Sequence, residues 1–191
     1  MDSRSFGQTN SPDSADTSRT RRRRNIVSVS CEARVAELGL DIPDYSDGGY
    51  HGTYYGTMKA FHKTGNLLFL SGHVADIVGH NGQPTHAGRL GAEVTVEQGY
   101  AEARQTALNC LGTMRLALGS LDRVKCLVNS LNFVVAAPDF VDVNLVSCGA
   151  TDLFRDVFGE ENGLGGRATI GVTSLAANHC FENWMTIETV D

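Results

Sequence analysis

No stretch of this chain approaches the roughly 18 consecutive apolar residues that cross a bilayer, and its first residues lack the apolar core of a secretory signal. A membrane span and secretion are therefore not expected, and the cytoplasm is the expected location. No CxxC occurs among the five cysteines, Cys31, Cys110, Cys126, Cys148 and Cys180. Their odd number and wide spacing suit reduced thiols better than a disulfide framework or a zinc site. The six histidines contain no HxH or HxxxH pair, so no metal is expected. An excess of positive charge is also missing. The formal net charge is −6, which offers no long-range attraction to a phosphate backbone, so nucleic acid is not an expected partner. Gly163-Leu164-Gly165-Gly166 does not make a phosphate loop, because a strand rather than a helix follows it.

What is present suits one ordinary core: 191 residues, 41% of them hydrophobic. Residues 1–25 are Ser, Thr, Asp, Gly and Arg with little to bury, and are expected to be a disordered tail before a domain at 26–191. The arginines at 21–24 read as a solvated basic cluster or an anion-binding arm, and no function is assigned to them. The tyrosine-rich segment 42–56 is expected to be an ordered loop bordering a pocket.

Gly65 precedes a short apolar run, Leu67-Leu68-Phe69-Leu70, which predicts a buried strand, and a second strand is expected at 92–94. Thr95 and Gln98 form a capping-box pattern, apolar residues recur at helical spacing from Tyr100 to Leu118, and Gly119 follows, which predicts a helix over 96–118. A strand is predicted over 122–135, a helix over 145–158 ended by Gly159, and strands over 168–175 and 180–190. The order ββαβαββ predicts an α+β fold, a sheet layer with two helices on one face.

If the turn Ala176-Ala177-Asn178-His179 closes a hairpin, Leu175 pairs with Cys180. Ile170, Val172, Phe181, Met185 and Ile187 then face the core. The other face carries Arg167, Thr169, Glu182, Trp184 and Glu188, a surface on which a second subunit is expected to dock. In that register Arg167 lies about 20 Å from Glu182 along one face. The two groups serve one pocket only if neighbouring subunits bring them together.

Four patterns then occur in order: Thr64-Gly65-Asn66-Leu67-Leu68-Phe69-Leu70-Ser71-Gly72, Leu118-Gly119-Ser120-Leu121-Asp122-Arg123-Val124-Lys125, Ala137-Pro138-Asp139-Phe140, and Arg167-Ala168-Thr169-Ile170-Gly171-Val172 with Glu182 fifteen positions after the arginine. Over about residues 34–190 the chain resembles the YjgF/Rid family of reactive-intermediate deaminases, also called the L-PSP endoribonuclease family. The resemblance implies a chorismate-mutase-like subunit, a homotrimer with clefts between subunits, and hydrolysis of 2-imino or 2-enamino acids to 2-keto acids without a metal or organic cofactor. Arg167 falls on the family's carboxylate anchor and Glu182 on its water-positioning acid. A guanidinium binds a carboxylate through two parallel hydrogen bonds, and a carboxylate can orient or deprotonate water. Ser71 and Gly72 fall on the segment lining the cleft, where a missing side chain allows close approach.

The walls depart from the family pattern. His73 replaces a common Gln, Thr169 stands where Cys is frequent, Met58 stands where many relatives have Tyr, and a pocket Asn falls on either Asn144 or Cys148. His73 has a structural reading as a hydrogen-bonded histidine, and Cys148 as a helix cysteine. The altered walls keep two alternatives open: an isomerase or cyclase acting on a pathway intermediate, and a non-catalytic module that binds a small carboxylate.

Overall fold

The computed structural model describes residues 30–46, 56–77 and 82–190. The expected tail at 1–25 and most of the tyrosine-rich loop lie outside the described residues. The elements are α1 (Cys31–Glu37), β1 (Phe61–Thr64), β2 (Leu67–Val74), α2 (Val96–Leu118), β3 (Val124–Val135), α3 (Val143–Gly163), β4 (Gly166–Val172) and β5 (Phe181–Thr189). They form an α+β fold with one mixed five-stranded sheet in the order β1-β2-β5-β3-β4. Among the described residues no helix is long and apolar enough to cross a membrane.

Helix α2 has its predicted bounds and predicted ends. Both capping-box bonds between Thr95 and Gln98 are present, and Gly119 takes the left-handed conformation (φ 78°) that a side chain disfavours. Ala103, Ala107, Leu111, Met114 and Leu118 are buried, and pack with Val146, Ala150, Leu153 and Phe154 of α3 over one sheet face. The sheet contributes Leu68, Leu70, Leu127, Val134, Phe181, Met185 and Ile187 to that core. Gly149 brings the two helices close, since a Cβ there would collide with the Tyr100 carbonyl.

The ββαβαββ order holds, with a different first pair. Residues 92–94 form a turn ahead of α2, joined to Leu90 by an isolated bridge, and the two early strands are β1 and β2, paired as an antiparallel hairpin. Helix α1 was not predicted. Ser30 caps it, and Asp122 accepts hydrogen bonds from Ser30 Oγ (2.8 Å) and the Cys31 N–H (2.6 Å), which fastens it beside the α2–β3 connection. Helix α3 starts two residues earlier than expected, breaks at Gly159 (φ 82°, ψ 168°), and adds one more turn to Gly163.

The hairpin expectation is overturned. β4 and β5 do not pair, because β3 lies between them, parallel to β4 and antiparallel to β5. The predicted turn exists, as a short 3₁₀ segment at Ala176–Asn178 in which Ala177 (φ 50°) and Asn178 (φ 60°) are left-handed, but it carries the chain across the end of β3. A turn signal reports where the chain reverses and says nothing about which strand it will meet. Asn183 and Asn132, both fully buried, hydrogen-bond across β5 and β3 and resist any slip of that register.

Candidate functional site

The true strand order changes the geometry of Arg167 and Glu182. Arg167 lies beside Ser130 and Glu182 beside Phe133 on the intervening strand. That is three residues along and two strands across, or about 14 Å in the sheet plane. They also leave the sheet on opposite sides. Arg167 and Thr169 turn toward α3, whereas Ile170 faces solvent, which reverses the facing expected for β4. Alternation from the wrong partner strand caused that reversal.

The described chain therefore holds two separate clusters. In the first, Arg167 Nη1 donates to Thr151 Oγ1 (3.0 Å) and contacts Cys148 Sγ (3.7 Å). Thr169 Oγ1 bonds Ser147 Oγ (3.0 Å), so β4 is tied to α3 twice. Of the two candidates for the pocket Asn position, Cys148 lies beside the guanidinium. Asn144 is one helical turn earlier, exposed, and accepts the Cys148 thiol with its carbonyl oxygen (3.3 Å).

In the second cluster, Glu182 sits half-buried on the open sheet face, and Trp184 Nε1 donates to its Oε1. Burial raises the Glu182 carboxyl above its ordinary range, and the indole N–H pulls it partly back. Gly72 lies against both groups. A register irregularity between Leu70 and His73 puts Gly72 where a Cβ would overlap Glu182 Oε1 and Trp184 Nε1. Neighbouring Ser71 donates its hydroxyl to the Lys59 carbonyl.

His73 belongs to neither cluster. It is 0% exposed on the core side, with Nδ1 2.6 Å from the Ser71 carbonyl and Nε2 2.8 Å from Thr113 Oγ1. A carbonyl only accepts, so Nδ1 carries the proton and Nε2 accepts from the threonine. His73 is therefore not a wall residue of an open cleft, as the resemblance implied, and fits its structural reading: after the irregularity at Gly72, alternation sends His73 inward. Sequence reasoning missed Thr151, and it placed Trp184 on the Glu182 face without foreseeing its bond to the carboxylate. Each had a signal: Thr151 follows Cys148 by one helical turn, and Trp184 follows Glu182 by one strand period.

Between the clusters the open face forms a groove of about 530 Å³ whose lining includes Phe69, Leu131, Arg167, Ala168, Trp184 and Thr186. Phe69 and Trp184 remain exposed there, and the ring of Phe133 meets Trp184 edge-on at 5.6 Å. Among the described residues no three acidic, histidine or cysteine side chains gather as a metal site.

No family model matches the chain. Protein Atu1372 of Agrobacterium tumefaciens, a protein of unknown function, is similar in fold and sequence: TM-score 0.72, 30% identity, 84% of this chain and 92% of that one covered. A candidate endoribonuclease from Shewanella oneidensis superposes with TM-score 0.74 at 24% identity, covering 84% and 99% of the two chains. The Rid family protein YyfA of Yersinia pestis, also of unknown function, gives TM-score 0.51 at 17% identity, covering 78% and 98%. The chain has the fold of the YjgF/Rid family. The Rid fold accounts for the mixed sheet with helices on one face. Protein TCP17 of Trypanosoma cruzi is 47% identical over 88 residues, 46% of this chain and 55% of TCP17, so the chain spans about half the length of that curated relative.

Proposed function

We propose that this Rid-fold protein hydrolyses a small 2-imino or 2-enamino acid in a cleft completed by a neighbouring subunit of a homotrimer. The observation that carries the reading is the division of the candidate groups: an anchor cluster around Arg167 and an acid cluster around Glu182, on opposite sides of one sheet. One chain cannot close them on a single short substrate. The apolar groove beside Trp184 and Phe69 supplies a surface on which a second copy would dock.

In the proposed reaction Arg167 holds the substrate carboxylate by paired hydrogen bonds, with Thr151 fixing the guanidinium and Cys148 lining the anchor. Glu182 holds a water and takes its proton as the oxygen attacks the iminium carbon. The C–O bond forms as the C=N π electrons move to nitrogen. The same proton then passes to that nitrogen, Glu182 takes the proton of the new hydroxyl as the C=O bond forms and the C–N bond breaks, and the nitrogen leaves as ammonia, which carries that proton away as ammonium and leaves a 2-keto acid. Burial suits Glu182 to this work by raising its proton affinity. An RNase reading lacks support, since the net charge is −6.

The test is ammonia and keto-acid release from an imino acid generated in situ by an amino-acid oxidase. The wild-type protein is expected to accelerate release over buffer, and Glu182→Gln to abolish the acceleration. Equal rates for the two proteins would refute the proposal, and tight carboxylate binding without turnover would favour the binding-module alternative.

A further inference from the structure

Trp184 is the only tryptophan in the chain, and it follows Glu182 by two residues, so both side chains leave β5 on the same face. Its indole N–H donates to Glu182 Oε1. Three features hold that contact in place. Phe133 packs edge-on against the indole, at an interplanar angle of 71°. Phe133 also lies directly beside Glu182 on β3. Gly72 on β2 leaves the space that both polar atoms occupy. These contacts restrict the carboxylate at Oε1.

We propose that Trp184 is a positioning residue for Glu182: its N–H holds Oε1, leaves Oε2 to accept the attacking water, and sets the pH at which the carboxylate becomes competent. The proposal rests on the hydrolytic reading above. Among the described residues nothing charged competes with the indole. On β2 the register partner is the apolar Val74, Gly72 leaves the space beside the carboxylate, and His73 is turned into the core. On β3 the facing residue is Phe133. On β5 the next ionisable group on that face is Glu188, about 20 Å along the strand and engaged by Lys125. Arg167 of a neighbouring copy is the one cation that the hydrolytic reading brings near. An N–H donor favours the ionised carboxylate, so its removal raises the pKa.

The 191-residue chain carries its own reporter, because all its indole fluorescence comes from Trp184. Titration from acid to neutral pH is expected to show a fluorescence transition with a midpoint above the ordinary glutamate range, and Glu182→Gln is expected to abolish it. Trp184→Phe keeps an aromatic ring and removes the donor. It is expected to raise the Glu182 pKa further, read by carbon-13 NMR of labelled glutamate carboxyls, and to move the acid limb of the kcat profile in the same direction. A merely structural tryptophan would leave that pKa where it was. An unchanged fluorescence transition in Glu182→Gln, or an unchanged Glu182 titration in Trp184→Phe, overturns the proposal. If Trp184→Phe fails to fold, the fluorescence arm still decides. Neither titration needs turnover, so a failure of hydrolysis is distinguishable from a failure of this coupling.

Discussion

At the scale of single residues, what the candidate site does depends on which atoms neighbouring side chains immobilise. Thr151 accepts from Arg167 Nη1, a bond that removes one of the ways an exposed guanidinium can turn. Thr151→Val keeps the shape and deletes the acceptor. A lost hydrogen bond to a charged group of about 1.5 kcal/mol predicts roughly tenfold weaker carboxylate binding, measured by calorimetry with a short keto acid, while Thr151→Ser retains affinity. Gly72→Ala is expected to lose most activity with little loss of thermal stability. Its methyl would displace the Glu182 carboxylate and the indole, which are half-buried and exposed respectively, rather than core atoms. Arg167 and Glu182 were legible in the sequence because their spacing and flanking residues form a recognisable pattern. The hydrogen bonds that orient them were not, since those depend on α3 lying against β4 and on the irregularity in β2.

At the scale of elements, α2 carries two buried faces. Its apolar stripe meets the core, as the spacing of Ala103, Ala107 and Leu111 requires. Glu102, Thr106, Asn109 and Thr113 are buried as well, which amphipathic reasoning would leave in solvent. Asn109 donates to the carbonyls of Val74 (2.8 Å) and Asp76 (2.7 Å), and Glu102 accepts from the His86 N–H and Nδ1 (2.9 Å each), so this polar face secures the segments flanking the β2–α2 connection. Burial raises the Glu102 pKa, with the bonds from His86 opposing it in part. The folded state therefore holds a proton that the unfolded chain releases near its ordinary value. Glu102 is then expected to lower stability progressively as pH rises from that value through the folded pKa. Denaturant unfolding across this window should show the slope in wild type and a flatter profile in Glu102→Gln. Gly159 ends the main run of α3 at φ 82° and ψ 168°, a conformation open to glycine, so Gly159→Ala is expected to cost about 1–3 kcal/mol in the same measurement.

At the scale of the whole molecule, the two clusters require two chains if they are to share a substrate. That arrangement predicts complementation. Arg167→Ala and Glu182→Ala proteins are each expected to be inactive, whereas chains unfolded together and refolded as a mixture should regain roughly a quarter of wild-type activity, since random assembly pairs intact halves at that frequency. No recovery, with mixed oligomers confirmed by native mass spectrometry, would place the two groups in separate sites. Ile170→Asp, on the exposed side of the edge strand β4, is expected to break assembly and activity together, read by light scattering and ammonia release.

Local chemistry by itself determined the ends of α2, the run of β3 and the turn near Ala177, because caps, periodicity and turn residues act over a few positions. Tertiary structure decided which strands met. β3 enters between β4 and β5, turning Arg167 to the helices and leaving Glu182 on the open face. Strand pairing is chosen by burial and by long-range contacts such as Asn132 with Asn183, a choice that residues adjacent in sequence do not encode.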